Sequence, residues 1–180
     1  MGGSGDPSPV TAYGVYVSMK ASAKETWGSD SLSGKKVLVQ GIGHVGESLV
    51  SHLTKEGAKV YINDISEERV KDAVKKYKAE AVSADTMFDL DIDIYAPCAL
   101  GATVNDDTLN RLKCKVICGA ANNQLADEKK HGEAVGKKGI LYAPHYVVNA
   151  GGIINVYYEL EGYNRERAMA HAEKIYENTW

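Results

Sequence analysis

Six consecutive residues have types and spacing suited to holding an anion: Gly41-Ile42-Gly43-His44-Val45-Gly46. Glycine at Gly41 permits a tight turn. With no side chain at Gly43, a diphosphate can approach the backbone. At Gly46 a helix can pack closely on the strand before it. A helix starting here would aim unpaired N–H groups and a partial positive charge at the anion. One acid completes the set. Asp64 ends the next apolar run, where a carboxylate can accept hydrogen bonds from the hydroxyls of a ribose. A carboxylate in that place repels a 2′-phosphate, and no arginine follows until Arg69, so the pattern favours NAD over NADP. His44, inside the loop, reads as a solvated side chain rather than a catalyst. Glycines at this spacing also arise by chance, so the flanking elements decide.

Those elements alternate. Helical spacing runs over 9–27, with Val10, Tyr13, Val17, Met19 and Ala23 inward and Pro9 in the first turn. The apolar run 36–40 reads as a buried strand leading straight into Gly41. A helix over 44–56 follows, with Val45, Leu49 and Leu53 inward and Gly57 as its stop. The next strand, 59–63, delivers Asp64. Ser66 then caps a helix with Glu67 and Glu68 in its first turn and Val70, Ala73, Val74 and Tyr77 inward. A weak strand covers 81–82 and a clearer one 92–96. A short helix over 106–112 and a strand over 115–118 come next. A polar surface helix over 127–137 precedes a last strand at 140–142. Helical spacing returns at 151–160 and 165–178, in segments expected to pack back over the sheet or reach toward a neighbour. Strands that alternate with crossover helices form a parallel sheet. The expectation is an α/β fold: a Rossmann-type doubly wound parallel sheet with flanking N-terminal and C-terminal helices. Residues 1–8 read as a flexible lead or linker, 9–163 as the NAD-binding domain and 164–180 as a C-terminal helix.

Bulk properties remove other classes. The net charge of −3 over 180 residues gives no footprint for nucleic acid or an anionic membrane. No apolar run approaches a membrane span, and no signal peptide opens the sequence. Cys98, Cys114 and Cys118 are odd in number and lie in or beside apolar stretches, which suits small buried residues in a reducing cytoplasm. A methyltransferase also combines a glycine-rich loop with an acid after the second strand. The placement of the third glycine two residues after His44 speaks against it.

Three later segments are too particular for generic loops. They are 95–101 (Tyr-Ala-Pro-Cys-Ala-Leu-Gly), 118–125 (Cys-Gly-Ala-Ala-Asn-Asn-Gln-Leu) and 142–152 (Tyr-Ala-Pro-His-Tyr-Val-Val-Asn-Ala-Gly-Gly). Each follows an expected strand, and ligands of open parallel sheets bind beyond the carboxyl ends of the strands. All three should therefore face one cleft beside the glycine loop. With 7–14 and 162–167, these segments resemble the glutamate/leucine/phenylalanine/valine dehydrogenase family, most closely its leucine dehydrogenase branch, across essentially the whole chain.

The resemblance implies oxidative deamination of a branched-chain L-amino acid such as leucine, with hydride transfer to NAD⁺. It places Thr11 near the nicotinamide end and Gly41, Gly43, His44, Val45 and Gly46 at the diphosphate. Asp64 and its neighbour Ile65 fall on the adenosine side, as do Cys98 and Ala99. Ala120 and Asn122 border the nicotinamide ribose and carboxamide, and Asn149 reaches the nicotinamide and the reacting amino group. An amide offers donor and acceptor together, which suits a carboxamide partner.

The sequence departs from the family in one large respect. The family's catalytic lysines and aspartate lie in an N-terminal substrate domain, and the lysines here sit on polar helical faces or turns. The expectation is a chain that binds NAD(H) but turns over no amino acid alone, a monomer or weak homodimer as a fragment. The alternative is a non-catalytic nucleotide-binding scaffold. His145 stands where the family more often has an acid, and it is expected near the cleft mouth. Tyr157 and Tyr158 are candidates for a surface facing the substrate domain.

Overall fold

The computed structural model describes residues 6–150 and 165–178. Six parallel strands form one sheet in the order β3-β2-β1-β4-β5-β6. The strands are β1 (Lys36–Gln40), β2 (Lys59–Asn63), β3 (Glu80–Ala81), β4 (Ile94–Pro97), β5 (Val116–Ile117) and β6 (Leu141–Tyr142). Sequence order reverses between β1 and β4. A doubly wound sheet opens its ligand crevice at that point, outside the carboxyl ends of the strands.

Period-two alternation sorts the strand residues into two cores. Val37, Val39, Val60, Ile62, Ile94, Ala96, Val116 and Cys118 pack on one face. Leu38, Tyr61, Tyr95 and Ile117 pack on the other. The first face is covered by α1 (Ser8–Trp27) and α2 (His44–Glu56), with Ala73 from α3 (Glu67–Tyr77) and Val148 from α6 (His145–Val148). The second is covered by a 3₁₀ turn at Met87–Asp89, by α4 (Asp106–Arg111) and by α5 (Glu128–Lys137). Two helices end the described chain, α7 (Arg165–Glu173) and α8 (Ile175–Asn178).

Several expected boundaries hold and some shift. β1, α2 and β2 fall where the periodicity puts them. β4 begins two residues late, because Asp93 spends its carboxylate on the Lys36 amide at 2.8 Å and closes the strand's entry. Val74 is not inward but 37 % exposed, since α3 docks through Ala73 with only partial support from Val70 and Tyr77. The helix at 128–137 is not wholly superficial. His131 and Val135 are buried, and His131 Nδ1 accepts the Asp127 amide at 2.9 Å.

The C-terminal helices do not lie on the sheet. Ala172 and Ile175 close against Val10 and Val17 of α1, so α1 is sandwiched between them and the sheet. That sandwich explains why α1 is buried on nearly every side rather than along one stripe. The helical spacing read at 151–160, the motif 162–164 and the pair Tyr157-Tyr158 lie outside the described residues.

Candidate functional site

The glycine loop joins β1 to α2 at the point where the sheet order reverses. Gly41 takes φ +99°, a backbone that L side chains rarely adopt. Its amide donates to Asn63 O at 2.7 Å, which ties the loop to the end of β2. A Cβ built on Gly41 would sit 2.6 Å from the Ala99 Cβ. One built on Gly46 would sit 1.9 Å from the Gly41 carbonyl oxygen. Around Gly43 nothing lies within 4 Å of such an atom. Close packing is thus required at Gly41 and Gly46, while open space stands over Gly43.

Gly43 caps α2 in an extended conformation without a side-chain hydrogen bond, so the first amides of the helix stay available. His44 follows with its side chain 83 % exposed, paired to Asp6 at 3.0 Å. Val45 packs partly buried against the core. In the first turn, hydrogen bonds from Lys76 and Tyr77 hold the Glu47 carboxyl below its ordinary range.

A groove of about 460 Å³ opens beside the loop. Its walls include Gly41, Gly43, Asp64, Ile65, Cys98 and Ala99. The Asp64 side chain is only 7 % exposed. Its Oδ2 accepts the Ile42 amide at 2.6 Å and its Oδ1 accepts the Ser66 amide at 2.8 Å. Two large apolar side chains stand in solvent at the groove, Ile65 and Leu100. Burial pushes the Cys98 thiol up to about 11, which leaves it protonated and inert at neutral pH.

The turns after the later strands pack on one another. A Cβ on Gly119 would strike Pro97 O at 2.2 Å, and one on Gly101 would strike Asn122 O at 2.6 Å. The turns after β4 and β5 are therefore in close backbone contact. Asn149 completes the join. Its Nδ2 donates to Ala120 O at 2.8 Å and to Asn122 Oδ1 at 3.1 Å, while its Oδ1 is buried without a partner among the described residues. A buried amide oxygen left unsatisfied is costly unless something supplies a donor. Thr11 lies in the first turn of α1 and donates its hydroxyl to Pro7 O at 3.2 Å. No bond among the described residues joins it to the asparagines.

Two sequence expectations need amendment here. Arg69 is not remote from Asp64, because one turn of α3 returns its Nη1 to 3.8 Å from Oδ1. His145 lines a separate hollow of about 230 Å³ with Gln124, Tyr142 and Tyr146 rather than the groove beside the glycine loop. Sequence reasoning also missed Gln40, Asn63 and Thr103, which line the groove. The first two end strands β1 and β2, a position that was available as a signal. Gln40 is held by the hydroxyl of the fully buried Tyr95 on the neighbouring strand. Among the described residues, no group of His, Cys, Asp or Glu is placed to hold a metal ion, and no helix is long and apolar enough to cross a membrane.

The sequence profile of the Glutamate/Leucine/Phenylalanine/Valine dehydrogenase family matches residues 2–66 and 61–179. The chain belongs to this family. It is 59 % identical over 176 residues to a leucine dehydrogenase of Thermoactinomyces intermedius, covering 98 % of this chain and 48 % of that one. A valine dehydrogenase of Streptomyces virginiae is 48 % identical over 181 residues, with 99 % of this chain and 50 % of that one covered. The crystal structure of L-tryptophan dehydrogenase from Nostoc punctiforme superposes with a TM-score of 0.93 at 42 % identity, over 96 % of this chain and 53 % of that one. A glutamate dehydrogenase of Thermus thermophilus, 19 % identical with a TM-score of 0.74, shares the fold. The chain spans about half the length of the curated relatives it matches.

Proposed function

We propose that this chain is the coenzyme-binding half of an NAD-dependent L-amino-acid dehydrogenase of the leucine type. The observation that carries the reading is the groove beside the glycine loop, walled by Gly41, Gly43, Asp64, Ile65, Cys98 and Ala99, with open space over Gly43. The residues present fit the coenzyme at both ends. Open space over Gly43 admits a diphosphate to the backbone, and the uncapped start of α2 supplies N–H donors. Asp64 borders the ribose end, with Ile65, Cys98 and Ala99 shaping the adenosine side. At the other end Asn149 is clamped by Ala120 and Asn122, and its amide suits a carboxamide partner once the coenzyme is bound.

When bound, NAD⁺ supplies the hydride acceptor for oxidation of an amino group. This chain's part is to bind it, orient it and keep water from one of its faces. Deamination also needs a cation for the substrate carboxylate and a base of tuned pKa. Among the described residues no lysine lines the groove, so both are assigned to an N-terminal substrate domain of the longer relatives' kind.

The test is calorimetry with NADH, followed by an L-leucine oxidation assay. The expected result is saturable NADH binding, no turnover by the 180-residue chain, and turnover once a matching N-terminal half is added. Absence of NADH binding by folded protein would overturn the reading. Leucine oxidation by the chain alone would overturn the division of labour.

A further inference from the structure

The hollow of about 230 Å³ at His145 shares no wall residue with the groove at the glycine loop. It lies between the segment after β5, the first turns of α5 and the chain leaving β6. Its walls include Tyr142, His145, Tyr146, Glu128, Gln124 and Leu125. The aromatic groups come from one short stretch. Tyr142 ends β6, and after Pro144 the residues His145 and Tyr146 open α6. The His145 and Tyr146 rings meet at 77° with centroids 5.8 Å apart, so they present two walls at nearly a right angle. The faces of such rings carry negative potential and attract cations.

Glu128, in the first turn of α5, adds a full negative charge. It has no ion-pair partner among the described residues. Burial raises the Tyr142 hydroxyl above its ordinary pKa, and the Glu128 charge adds to the rise, which puts that carboxylate close to this ring. The covered wall contributes an acceptor. Gln124 is fully buried, and its Nε2 donates to Gly119 O at 2.7 Å and to Ala121 O at 3.0 Å. Its Oε1 is buried without a partner among the described residues. A buried acceptor with no donor is costly, so a guest that brings an N–H is favoured.

Aromatic faces, an unspent carboxylate and an unpaired amide oxygen disfavour an anion and suit a positively charged guest with N–H groups. The guest must also be small, because the hollow is below the ~300–1,000 Å³ of ordinary ligand pockets. We propose that this hollow is a binding site for a primary alkylammonium ion. The ammonium group sits between Glu128 and the rings of Tyr142 and Tyr146, with an N–H available to Gln124. The site is separate from the coenzyme groove and does not depend on the coenzyme reading.

The experiment is an amide NMR titration of the purified chain with propylammonium chloride at constant chloride concentration, beside the same titration with n-propanol. The alcohol matches the ion in shape and lacks its charge. Propylammonium should give saturable shifts at the amides of Leu125, Gly132, His145 and Tyr146, which border the hollow, while Gly41 and Gly43 stay unmoved. The expected dissociation constant is on the order of 10 mM, with n-propanol weaker by about tenfold or more. Glu128→Gln and Tyr146→Ala should each weaken the ion by about threefold or more. Both side chains are exposed, so the variants should keep the native spectrum elsewhere. An equal response to ion and alcohol would overturn the proposal. So would shifts that miss these amides, or folded variants that bind propylammonium as the native chain does.

Discussion

Replacing Gly46 and Gly43 separately by alanine should separate two demands made on one loop. At Gly46 the new Cβ would lie 1.9 Å from the Gly41 carbonyl oxygen and 2.9 Å from its carbon. Both are backbone atoms, so no flexible side chain can yield. The start of α2 must move away from the end of β1, which disturbs the loop and the apolar contacts of Leu49 beneath it. Overpacking of this kind costs about 3 kcal/mol, the upper part of the usual range. For a domain of this length that is a melting temperature lower by roughly 6–12 °C. At Gly43 the same methyl meets nothing within 4 Å, and φ of −75° suits alanine. The expected cost there is at most about 1 kcal/mol, from exchanging a favourable N-cap residue for a poor one. The binding effect runs the other way round. Alanine at Gly43 projects into the space assigned to the diphosphate and should weaken NADH by about tenfold or more while the protein stays folded. Differential scanning fluorimetry and NADH titration of both variants make the comparison. If Gly46→Ala melts within about 2 °C of the native protein, under 1 kcal/mol on the same scale, the close-packing account fails. If Gly43→Ala binds NADH as the native chain does, Gly43 is not where the diphosphate approaches.

Two further outcomes can be measured without coenzyme. His52 stacks on Tyr16 at 5.1 Å, and burial, with Lys55 nearby, lowers its pKa from the ordinary 6.5. Its neutral form is the one the fold prefers. Its contribution is therefore present above pH 6.5 and is lost as pH falls toward the lower folded-state value. Thermal melts from pH 8 to pH 5 should decline through that window, and His52→Phe should flatten the decline; an unchanged slope would remove His52 from the account. The thiols offer the second outcome. Burial pushes Cys98 up to about 11 and Cys114 up to about 12, and it raises Cys118 further. A thiol reagent at pH 8 should label native protein slowly, with the part-exposed Cys98 first, and label all three on unfolding. Rapid native labelling of Cys118 would contradict its placement in the core.

The parts of the site written in short-range chemistry were legible before the structure. A glycine needed at Gly41 for its φ, a glycine needed at Gly46 for close packing and an acid after β2 each act on neighbours in sequence or one strand away. The parallel, doubly wound sheet followed from strand–helix alternation. Contacts made by a returning helix turn were not legible. Arg69 looked distant from Asp64 because linear spacing hides the turn of α3 that brings it back. Gln40 gained its place through a hydrogen bond from Tyr95 on the neighbouring strand, a pairing that periodicity does not report. The all-round burial of α1 was hidden for the same reason, as its outer cover comes from Ala172 and Ile175. At the sheet's far edge the strands shorten to two residues, and there the pattern overstated their length.

The cover over α1 has a consequence for the time at which the protein can finish folding. Tyr13 donates to Glu173 at 3.0 Å, across a separation of 160 residues. Closing a loop of that length costs little extra free energy, since the penalty grows only logarithmically. Its cost lies in waiting. During synthesis at ordinary rates, the outward side of α1 emerges on the order of ten seconds before the residues that seal it. Through that interval Val10 and Val17 stay uncovered on the outward side of α1 while the sheet is still incomplete.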